Sequence, residues 1–375
     1  MVIESLELKN FRNYEYLSFN PSPGTNILYG ENAQGKTNIL ESVFMACTSR
    51  SMRSARDREI IEFGYDDAHI RLSVKKNKVH YRIDMHLKKN KPKGIAINEL
   101  PIHKISDLLG LVNVVSFSPE DLSLVKDGPQ YRRRFMDLEL CQLDPMYVYN
   151  LSKYNKVLEQ RNKLLKDIEF HPSLEETLED WDEQLILYGT KVVEARTSFI
   201  DDLKKVVEPV HTSLSGGKER LEIRYETNAS TGAFRETLER LRFSERKLHV
   251  TLAGPHRDDI EFLINGQDIR KYGSQGQRRT TALSIKLSEI QLVKEKTGDY
   301  PILLLDDVLS ELDTNRQTYL LNMLNATQNM ITCTGLDDFI AHRFPIDELF
   351  LVEDGSLKKI EKLTEENNQR STHGN

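Results

Sequence analysis

Apolar and polar residues alternate in two neighbouring stretches of the N-terminal third of the chain. His69–Val74 and Val79–Leu87 show this period of two on either side of a polar turn, Lys75–Lys78. Side chains on a strand point alternately to the two faces of a sheet, so the pattern predicts an antiparallel hairpin with one buried face. A second hairpin is predicted around Asn265-Gly266, a dipeptide typical of two-residue turns.

The middle of the chain has a helical period instead. Leu151, Tyr154, Leu158 and Leu165 recur at helical spacing. A second series follows in steps of three and four residues: Leu178, Trp181, Leu185, Tyr188, Val192, Ala195 and Phe199. With a helix break at His171-Pro172, the two series predict an antiparallel helical pair joined along a short heptad seam. We expect an inserted helical domain at roughly 125–245, with strand signals resuming near Leu248.

Composition narrows the class of protein. The chain has 375 residues, a formal net charge of −6, 38% apolar and 29% charged residues, which is typical of a soluble globular protein of about two domains. No apolar run is long enough to span a bilayer, and the N-terminus does not resemble a secretory signal. The three cysteines are isolated, so we expect neither a disulfide framework nor a zinc site, and a reducing cytoplasm.

One stretch is locally basic. Arg50–Lys93 holds 13 Lys/Arg against 6 Asp/Glu, a net charge of +7. A solvated loop and hairpin would explain such a run, but beside a nucleotide site it favours contact with a phosphate backbone. Arg132–Arg134 form a second basic cluster, for which DNA contact and internal salt bridges are equally open.

A phosphate-binding motif lies near the N-terminus. Gly30–Thr37 reads GENAQGKT and matches G-x-x-x-x-G-K-[ST] in full, with a strand expected before it (Asn26–Tyr29) and a helix after it (Asn38–Ala46). Its glycines allow backbone N–H groups to line an anion site at a helix N-terminus. Lys36 would reach the β- and γ-phosphates, and the Thr37 hydroxyl would bind Mg²⁺.

A carboxylate pair follows a buried strand far along the chain. The apolar run Ile302–Leu305 ends in Asp306 and Asp307. A buried parallel strand of this kind places its terminal acid at the Mg²⁺ of a P-loop. We assign Asp306 to the metal and Asp307 to the attacking water. Because Lys36 and Asp306 are so far apart in sequence, a domain must be inserted between the two halves of one nucleotide-binding sheet.

A third motif indicates the type of P-loop protein. Tyr272–Arg279 reads YGSQGQRR, opens a helical pattern and resembles the signature of ABC-type ATPases. Asp306–Asp313 resembles their Walker B strand and D-loop, with Ser310–Asp313 as the D-loop. Leu214–Lys218, LSGGK, looks closer to a transporter signature, but a strand pattern follows it, so we interpret it as a glycine loop.

Further stretches point to one family. Leu6–Tyr14, LELKNFRNY, is similar to the opening of SMC-like ATPases. Phe117–Asp121, Gly128–Asp137 and Gly254–Asp259 look like landmarks of the RecF family. The resemblance covers nearly the whole chain, and the short helical pair differs from the long coiled coils of other SMC-like proteins.

The resemblance implies a fold. We expect an α/β protein with an ABC-type P-loop ATPase head, in which a mixed sheet with flanking helices is joined by an antiparallel β subdomain, and with an inserted helical domain. Its parts would be 1–124 (the N-terminal half of the head with the P-loop), 125–245 (the helical insert), 246–363 (the C-terminal half with signature, Walker B and D-loop) and 364–375 (a polar tail).

The resemblance also implies a function. RecF-like proteins are cytoplasmic, bind ATP and Mg²⁺, form a head-to-tail homodimer when ATP is bound, and engage double- and single-stranded DNA at gap junctions. They act with RecR and RecO to help RecA load, in gap repair and in the restart of replication. Weak, DNA-stimulated hydrolysis of ATP would reset them.

Site residues carry over by position. The nucleotide ligands would be Gly30, Glu31, Asn32, Ala33, Gln34, Gly35, Lys36, Thr37 and Asn38. Thr37 and Asp306 would hold the metal, and Asp307 and Lys36 would be catalytic. Arg12 would approach the phosphates, and Ser274 and Gly276 would contact the nucleotide bound to a second subunit.

The chain departs from the ABC pattern at two positions. Asp307 stands where a glutamate is usual, and this shorter side chain is consistent with slow turnover. The histidine expected after the next strand is absent from Ile331–Gly335, ITCTG, where Thr334 would substitute for it.

Three other functions compete with this one. A small-molecule P-loop kinase would have no use for the helical insert or for Ser274–Gln277. The ATP-binding subunit of a transporter would normally carry the missing histidine. The head of another SMC-like chromosome-organising complex would require a hinge or a long coiled coil, and neither is present in the sequence.

Overall fold

The computed structural model describes residues 1–53, 55–309, 312–324, 326–336 and 345–360. They form two compact units. Unit 1 comprises Met1–Pro119 and the described residues from Thr297 onwards, and unit 2 comprises Glu120–Lys296. Ser310 and Glu311 of the expected D-loop, and the expected tail 364–375, lie outside the described residues. Within the described part of the chain, no helix is long and apolar enough to cross a membrane.

A mixed six-stranded sheet forms the core of unit 1, in the order β15-β14-β3-β13-β12-β8. Its strands are β3 (Thr25–Tyr29), β8 (Val114–Phe117), β12 (Ile302–Asp306), β13 (Asn329–Cys333), β14 (Glu348–Glu353) and β15 (Ser356–Ile360). All neighbours pair in parallel except β14 and β15. β12 lies between two parallel partners, which explains why Ile302–Leu305 is a continuous apolar run and is fully buried.

Two helices follow strands of this sheet. α1 (Lys36–Thr48) comes after β3, and α10 (Thr314–Leu324) comes after β12. The strand–loop–helix context predicted for the phosphate motif is therefore confirmed. Because β13 separates β3 from β12 and all three run parallel, the loops after β3 and β12 lie at the same edge of the sheet.

The second sheet of unit 1 is antiparallel, in the order β2-β1-β4-β5-β6-β7. Its strands are β1 (Val2–Phe11), β2 (Tyr14–Phe19), β4 (Asp67–Lys76), β5 (Val79–Lys88), β6 (Lys91–Ile97) and β7 (Leu100–Pro101), and a short helix, α2 (Asp57–Ile60), precedes β4. The predicted hairpin is β4–β5. Its turn residues Asn77 and Lys78 both have positive φ, as a two-residue hairpin turn requires.

Unit 2 is mostly helical. Its helices are α3 (Leu122–Lys126), α4 (Pro129–Leu143), α5 (Pro145–Asp167), α6 (Leu178–Leu214), α7 (Phe234–Leu248), α8 (Ile269–Tyr272) and α9 (Gln275–Thr297), whose last residue belongs to unit 1. A small antiparallel sheet contains β9 (Leu221–Glu226), β10 (Asp259–Ile264) and β11 (Gln267–Asp268). β10 and β11 form the second predicted hairpin around Asn265-Gly266.

α5 and α6 form the predicted antiparallel pair, but the buried line of α6 is shifted. Tyr147 at the start of α5 contacts Arg196, and Arg161 near its end contacts Asp182. Asp182 and Arg196 are buried, whereas the expected seam residues Trp181, Tyr188 and Ala195 are half-buried. The periodicity therefore located the helices correctly and missed that charged residues occupy part of the seam.

The limits of unit 2 differ from those expected for the helical insert. Residues 246–296, which we assigned to the ATPase head, belong to unit 2. The physical reason is strand pairing, because β10 is hydrogen-bonded along its length to β9, which lies within the expected insert. The strand signal expected near Leu248 is also wrong, since this residue ends α7 and the next strand begins at Asp259.

Candidate functional site

The phosphate motif forms the loop between β3 and α1. Gly30 and Gly35 have φ values of 150° and 110°, and Ala33 has a φ of 66°. These are conformations that glycine adopts without strain. The Lys36 ammonium donates hydrogen bonds to the carbonyl oxygens of Gly30 (2.7 Å) and Glu31 (2.6 Å), so it lies across the mouth of the loop. Burial lowers the pKa of Lys36, and the nearby carboxylates of Asp307 and Asp306 oppose this effect.

The carboxylate pair lies beside the same loop. The Thr37 hydroxyl donates to Asp306 Oδ1 at 2.7 Å, joining residues 269 positions apart. Asp307 has a φ of 51°, an uncommon conformation for a residue with a side chain. Backbone strain of this kind is frequent at functional sites, where the surrounding structure holds it in place.

A residue that sequence reasoning missed, Thr332, holds this pair in place. Its hydroxyl donates to Asp306 Oδ1 at 2.8 Å and accepts a hydrogen bond from the Asp307 backbone N–H at 3.0 Å. Thr334, which we expected to replace the absent histidine, is exposed and does not line the cleft. The hydroxyl that contacts the aspartates therefore comes two residues earlier, at a buried position of β13.

The loop and the acids surround a cleft of about 340 Å³ in unit 1. Its lining residues are Asn32, Ala33, Gly35, Lys36, Thr37, Asn38, Arg53, Pro119, Asp306, Asp307 and Thr332. Hydroxyl and carboxylate oxygens are the ligands that Mg²⁺ prefers, so Thr37 and Asp306 fit a magnesium ion. Lys36 and the start of α1 fit the phosphates of a nucleotide.

Two arginines differ from expectation. Arg12 does not line the cleft, because its guanidinium makes a two-pronged ion pair with the buried Glu41 on α1 (2.9 and 3.0 Å) and a hydrogen bond to Glu59 O. Arg53 does line it, and its Nη1 donates to the Asn38 side chain at 3.3 Å. Sequence analysis placed Arg53 only in the basic stretch, because no motif or spacing in the sequence links this residue to the phosphate-binding loop.

The signature-like segment begins a helix, as expected, although this helix lies in unit 2 and not in the expected C-terminal half of the head. The Ser274 hydroxyl accepts a hydrogen bond from the Gln277 backbone N–H (3.2 Å), and the Gln277 side chain accepts one from the Ser274 N–H (2.9 Å). This reciprocal pair is a capping box at the start of α9. Ser274, Gln275 and Gly276 are all exposed. The N–H groups of a first helical turn have no acceptor within the helix, so this exposed end can bind an anion.

The competing LSGGK segment ends a helix instead of starting one. α6 stops at Leu214, and Gly216 and Gly217 follow with φ values of 63° and 74°. The Gly217 N–H donates to Thr212 O at 2.8 Å, which satisfies a carbonyl of the last helical turn. A helix C-terminus repels anions, so the interpretation as a glycine loop is confirmed.

Exposed cations cover the basic stretch of unit 1. Arg50, Arg53, Arg58, Lys88 and Lys91 are all exposed. The cluster Arg132–Arg134 differs. Arg132 is 2% exposed and forms a two-pronged ion pair with Asp259 (2.6 and 3.1 Å), and Arg133 donates to Asp258 O. Of the two alternatives for this cluster, internal pairing is the one observed for Arg132.

The landmark Gly254–Asp259 is part of a buried polar network in unit 2. Arg196 donates to Pro255 O at 2.7 Å, and the Tyr225 hydroxyl donates to the buried Asp258 carboxylate. His256 contacts the Tyr154 hydroxyl at 2.6 Å. Burial lowers the pKa of His256 to about 4. These residues link helices to the start of β10, and within the described structure they belong to the core of the unit.

Comparison with known proteins identifies the family of this chain. The family described as the RecF/RecN/SMC N terminal domain matches residues 2–341. The DNA replication and repair protein RecF of Agathobacter rectalis is 54% identical over 362 residues, covering 96% of this chain and 100% of that protein. The protein of the same name from Lachnospira eligens is 55% identical over 359 residues, covering 95% and 99%.

Solved structures give the same result. The recombination mediator protein RecF-ATP in the RecFOR pathway superposes with a TM-score of 0.89 at 36% identity, covering 96% of this chain and 97% of that one. The Smc head domain of Pyrococcus furiosus, at 16% identity and a TM-score of 0.56 over 99% and 98% of the chains, shares the fold alone. The predicted α/β ABC-type head with a helical insert is thus confirmed, and the chain belongs to the RecF family of the SMC-like ATPases.

Proposed function

We propose that this chain is an ATP-gated DNA clamp, which closes as a head-to-tail homodimer when ATP is bound. The observation that supports this most strongly is the presence of two complementary half-sites on one chain. One is the cleft around Lys36, Thr37 and Asp306, and the other is the exposed start of α9 at Ser274 and Gly276. The cleft would surround the phosphates of its own ATP, and the start of α9 would contact the ATP bound to a second copy.

In the cleft, each residue has a separate task. Lys36 would leave the carbonyl oxygens of Gly30 and Glu31 to bind the β- and γ-phosphates, since a charged acceptor forms the stronger hydrogen bond. Thr37 and Asp306 would hold Mg²⁺, which neutralises charge on the phosphates when it is bound. Asp307, held by Thr332, would orient the attacking water. Its carboxylate is one methylene shorter than glutamate, which accords with slow hydrolysis.

Arg53 adds a further positive charge beside the phosphates. Its guanidinium lies at the cleft, and among the described residues it donates a hydrogen bond to the neutral Asn38 side chain. In this proposal Arg12 affects the same site indirectly, because its ion pair fixes Glu41 on α1, the helix that follows the phosphate-binding loop. The remaining motif residues, from Gly30 to Asn38, would contribute backbone N–H groups.

Dimerisation would complete the site. The N–H groups at the start of α9 of a second copy would bind the γ-phosphate, with the Ser274 hydroxyl alongside them. A helix N-terminus favours negative charge, so ATP would attract it more strongly than ADP does. Hydrolysis would then weaken the dimer and reset the protein.

DNA would bind through phosphate contacts. Two copies bring together twice the number of exposed cations from the stretch 50–93, so a closed dimer would hold DNA more firmly than a monomer. Phosphate contacts carry no sequence information, and each one makes binding more sensitive to salt. We expect affinity to fall steeply with salt and to depend little on sequence, and hydrolysis to be weak and stimulated by DNA.

Membership of the RecF family supports a role for the proposed clamp in recombinational repair. Two solved relatives are described as the recombination mediator protein RecF of the RecFOR pathway. We therefore propose RecR and RecO as partners, with action at the junctions of double- and single-stranded DNA that helps RecA to load. The head of another chromosome-organising complex is the weaker alternative, because its solved examples share only the fold with this chain.

Light scattering with no nucleotide, ADP or ATP tests the clamp. The parent and Asp307→Asn, in which hydrolysis is slowed, are expected to be monomers except with ATP. Ser274→Arg should stay monomeric with ATP while binding ATP as the parent does, because it fills only the half-site for the second copy. Ser213→Arg, at another exposed serine of unit 2, is the matched control and should dimerise. If Ser274→Arg dimerises, or loses ATP binding together with dimerisation, the proposed role of α9 is wrong.

A further inference from the structure

The back of the phosphate-binding loop packs against a tight turn near the end of the described chain. β14 and β15 are joined by Asp354-Gly355, which we call the hairpin turn. A Cβ added to Gly30 would lie 2.3 Å from Val352 O, and one added to Gly355 would lie 2.4 Å from Asn13 O. Backbone meets backbone at both points, so neither neighbour can give way as a flexible side chain would. The loop therefore packs against β14 just before the hairpin turn, and the hairpin turn packs against the β1–β2 turn at Asn13.

Hydrogen bonds join the same three segments. The Gln34 side chain in the loop accepts a hydrogen bond from the Asp354 backbone N–H at 2.7 Å. The Asn13 side chain donates to Gln34 O at 3.1 Å and accepts from the Asn38 side chain at 2.8 Å. Gln34 is thus held from the hairpin turn on one side and from the β1–β2 turn on the other.

These contacts help to maintain the backbone conformation of the phosphate-binding loop. Gly30, Ala33 and Gly35 have left-handed backbone conformations, and a loop has no ladder of its own hydrogen bonds to maintain them. The hairpin turn is partly exposed, so it supplies little buried apolar surface to unit 1. Its closest contacts are instead with the segment that would surround the phosphates and with Asn13.

We infer that the hairpin turn is a positioning element for ATP binding, which holds the phosphate-binding loop in its observed backbone conformation through Gln34 and Asn13. This inference rests on the proposed function, since it assumes that ATP is the ligand of the cleft. Energetic coupling between two sites is reciprocal. ATP in the cleft must therefore stabilise the hairpin turn as much as the turn favours ATP.

A pair of glycine substitutions separates this role from general stability. Gly355→Ala places a Cβ at a φ of 69° and against Asn13 O. Gly64→Ala, also in unit 1, places a Cβ at a φ of 97° with nothing within 4 Å. Both variants carry backbone strain, and only the first disturbs the contact with the β1–β2 turn. Titration with a fluorescent ATP analogue should show affinity about tenfold weaker for Gly355→Ala and unchanged for Gly64→Ala.

Hydrogen exchange of the parent protein provides a second measurement that needs no variant. The Asp354 N–H should exchange more slowly when ATP is added, because its acceptor, Gln34, becomes fixed. Equal ATP affinities for the two variants, or exchange at Asp354 that ATP does not change, would overturn the inference. A parent protein that binds no ATP would instead refute the proposed function, so the two failures are distinct.

Discussion

Replacing Arg161 by methionine measures how much the buried ion pairs in the helical seam contribute to the stability of unit 2. The Arg161 guanidinium is fully buried and donates to Asp182 (2.6 Å), Glu245 (2.7 Å) and the Thr251 hydroxyl (2.9 Å). One cation on α5 thus joins α6, α7 and the segment after α7. Methionine has a similar length and no charge, so the substitution leaves two buried carboxylates without this partner.

The contacts that remain set the size of the effect. Asp182 keeps an ion pair with Arg242 (2.7 Å), and Glu245 still accepts a hydrogen bond from the Leu252 N–H (2.6 Å). Removing one partner of a buried ion pair costs about 3–5 kcal/mol when nothing compensates. Since each carboxylate keeps one donor, we expect a loss near the lower end, about 3 kcal/mol in the free energy of unfolding.

The chain's single tryptophan, Trp181, is adjacent to Asp182 and reports on this unit. In urea, followed by Trp181 fluorescence, the midpoint of Arg161→Met should fall by roughly 1–2 M. Arg246→Met removes an exposed ion pair with Glu175 and should cost about 0–1 kcal/mol. Adding Asp182→Asn and Glu245→Gln should recover part of the Arg161→Met loss. A loss no greater than that of the control, or no recovery, would refute the reasoning.

Two further predictions concern charge. Arg53→Ala should weaken ATP binding about tenfold, because a charged donor at the phosphates is lost. Arg50 does not line the cleft, so Arg50→Ala should leave binding unchanged in the same titration. Equal effects of the two substitutions would contradict the role of Arg53. Burial raises the pKa of Glu139 from its ordinary 4.5 to about 6, so the folded protein holds this proton more tightly than the unfolded chain does. The protonated carboxyl therefore adds to the free energy of unfolding below pH 4.5, and this contribution is lost as the pH rises through about 6. Glu139 shares its buried site with Glu289, whose pKa is also raised by burial. Glu139→Gln removes one titrating carboxyl of this pair and should gain stability relative to the parent across that window, measured by urea unfolding at several pH values. The opposing titration of His256 cancels in this difference, and a difference that does not change with pH would count against assigning the titration to this pair.

The parts of the site that sequence alone could predict are those in which residue type and local context agree. The strand–loop–helix around Lys36 and the strand before Asp306 needed only a motif and an apolar run. Thr332 could not be found in this way, because one threonine in a buried strand has no distinguishing pattern. Its role arises from β13 lying between β3 and β12, which is a property of the sheet order.

The helical seam shows a different limit. Periodicity assigns buried positions to apolar residues, so the predicted seam of α6 did not include Asp182, Gly189 or Arg196, which are buried. The Phe234 ring packs so closely against Gly189 that an added Cβ would lie 2.5 Å from it, which leaves room for glycine and not for a side chain. The two charged residues are buried because their partners come from distant parts of the chain, Arg161 and Asp137. Such pairing is non-local, as is the β9–β10 pairing that extends unit 2 beyond the expected insert.

The two basic segments show why charge alone does not identify a DNA-binding face. Arg132 and Arg133 are adjacent cations, yet the acid that neutralises Arg132 lies 127 residues later. A basic cluster can therefore be neutralised inside the fold by an acid that is remote in sequence. The stretch 50–93 differs, since Arg50, Arg58, Lys88 and Lys91 are exposed and no acidic partner is found for them among the described residues. Cations that folding leaves unneutralised can exchange water for DNA phosphates without first breaking an ion pair, so in the proposed clamp we expect the exposed cations of this stretch to contribute DNA contacts.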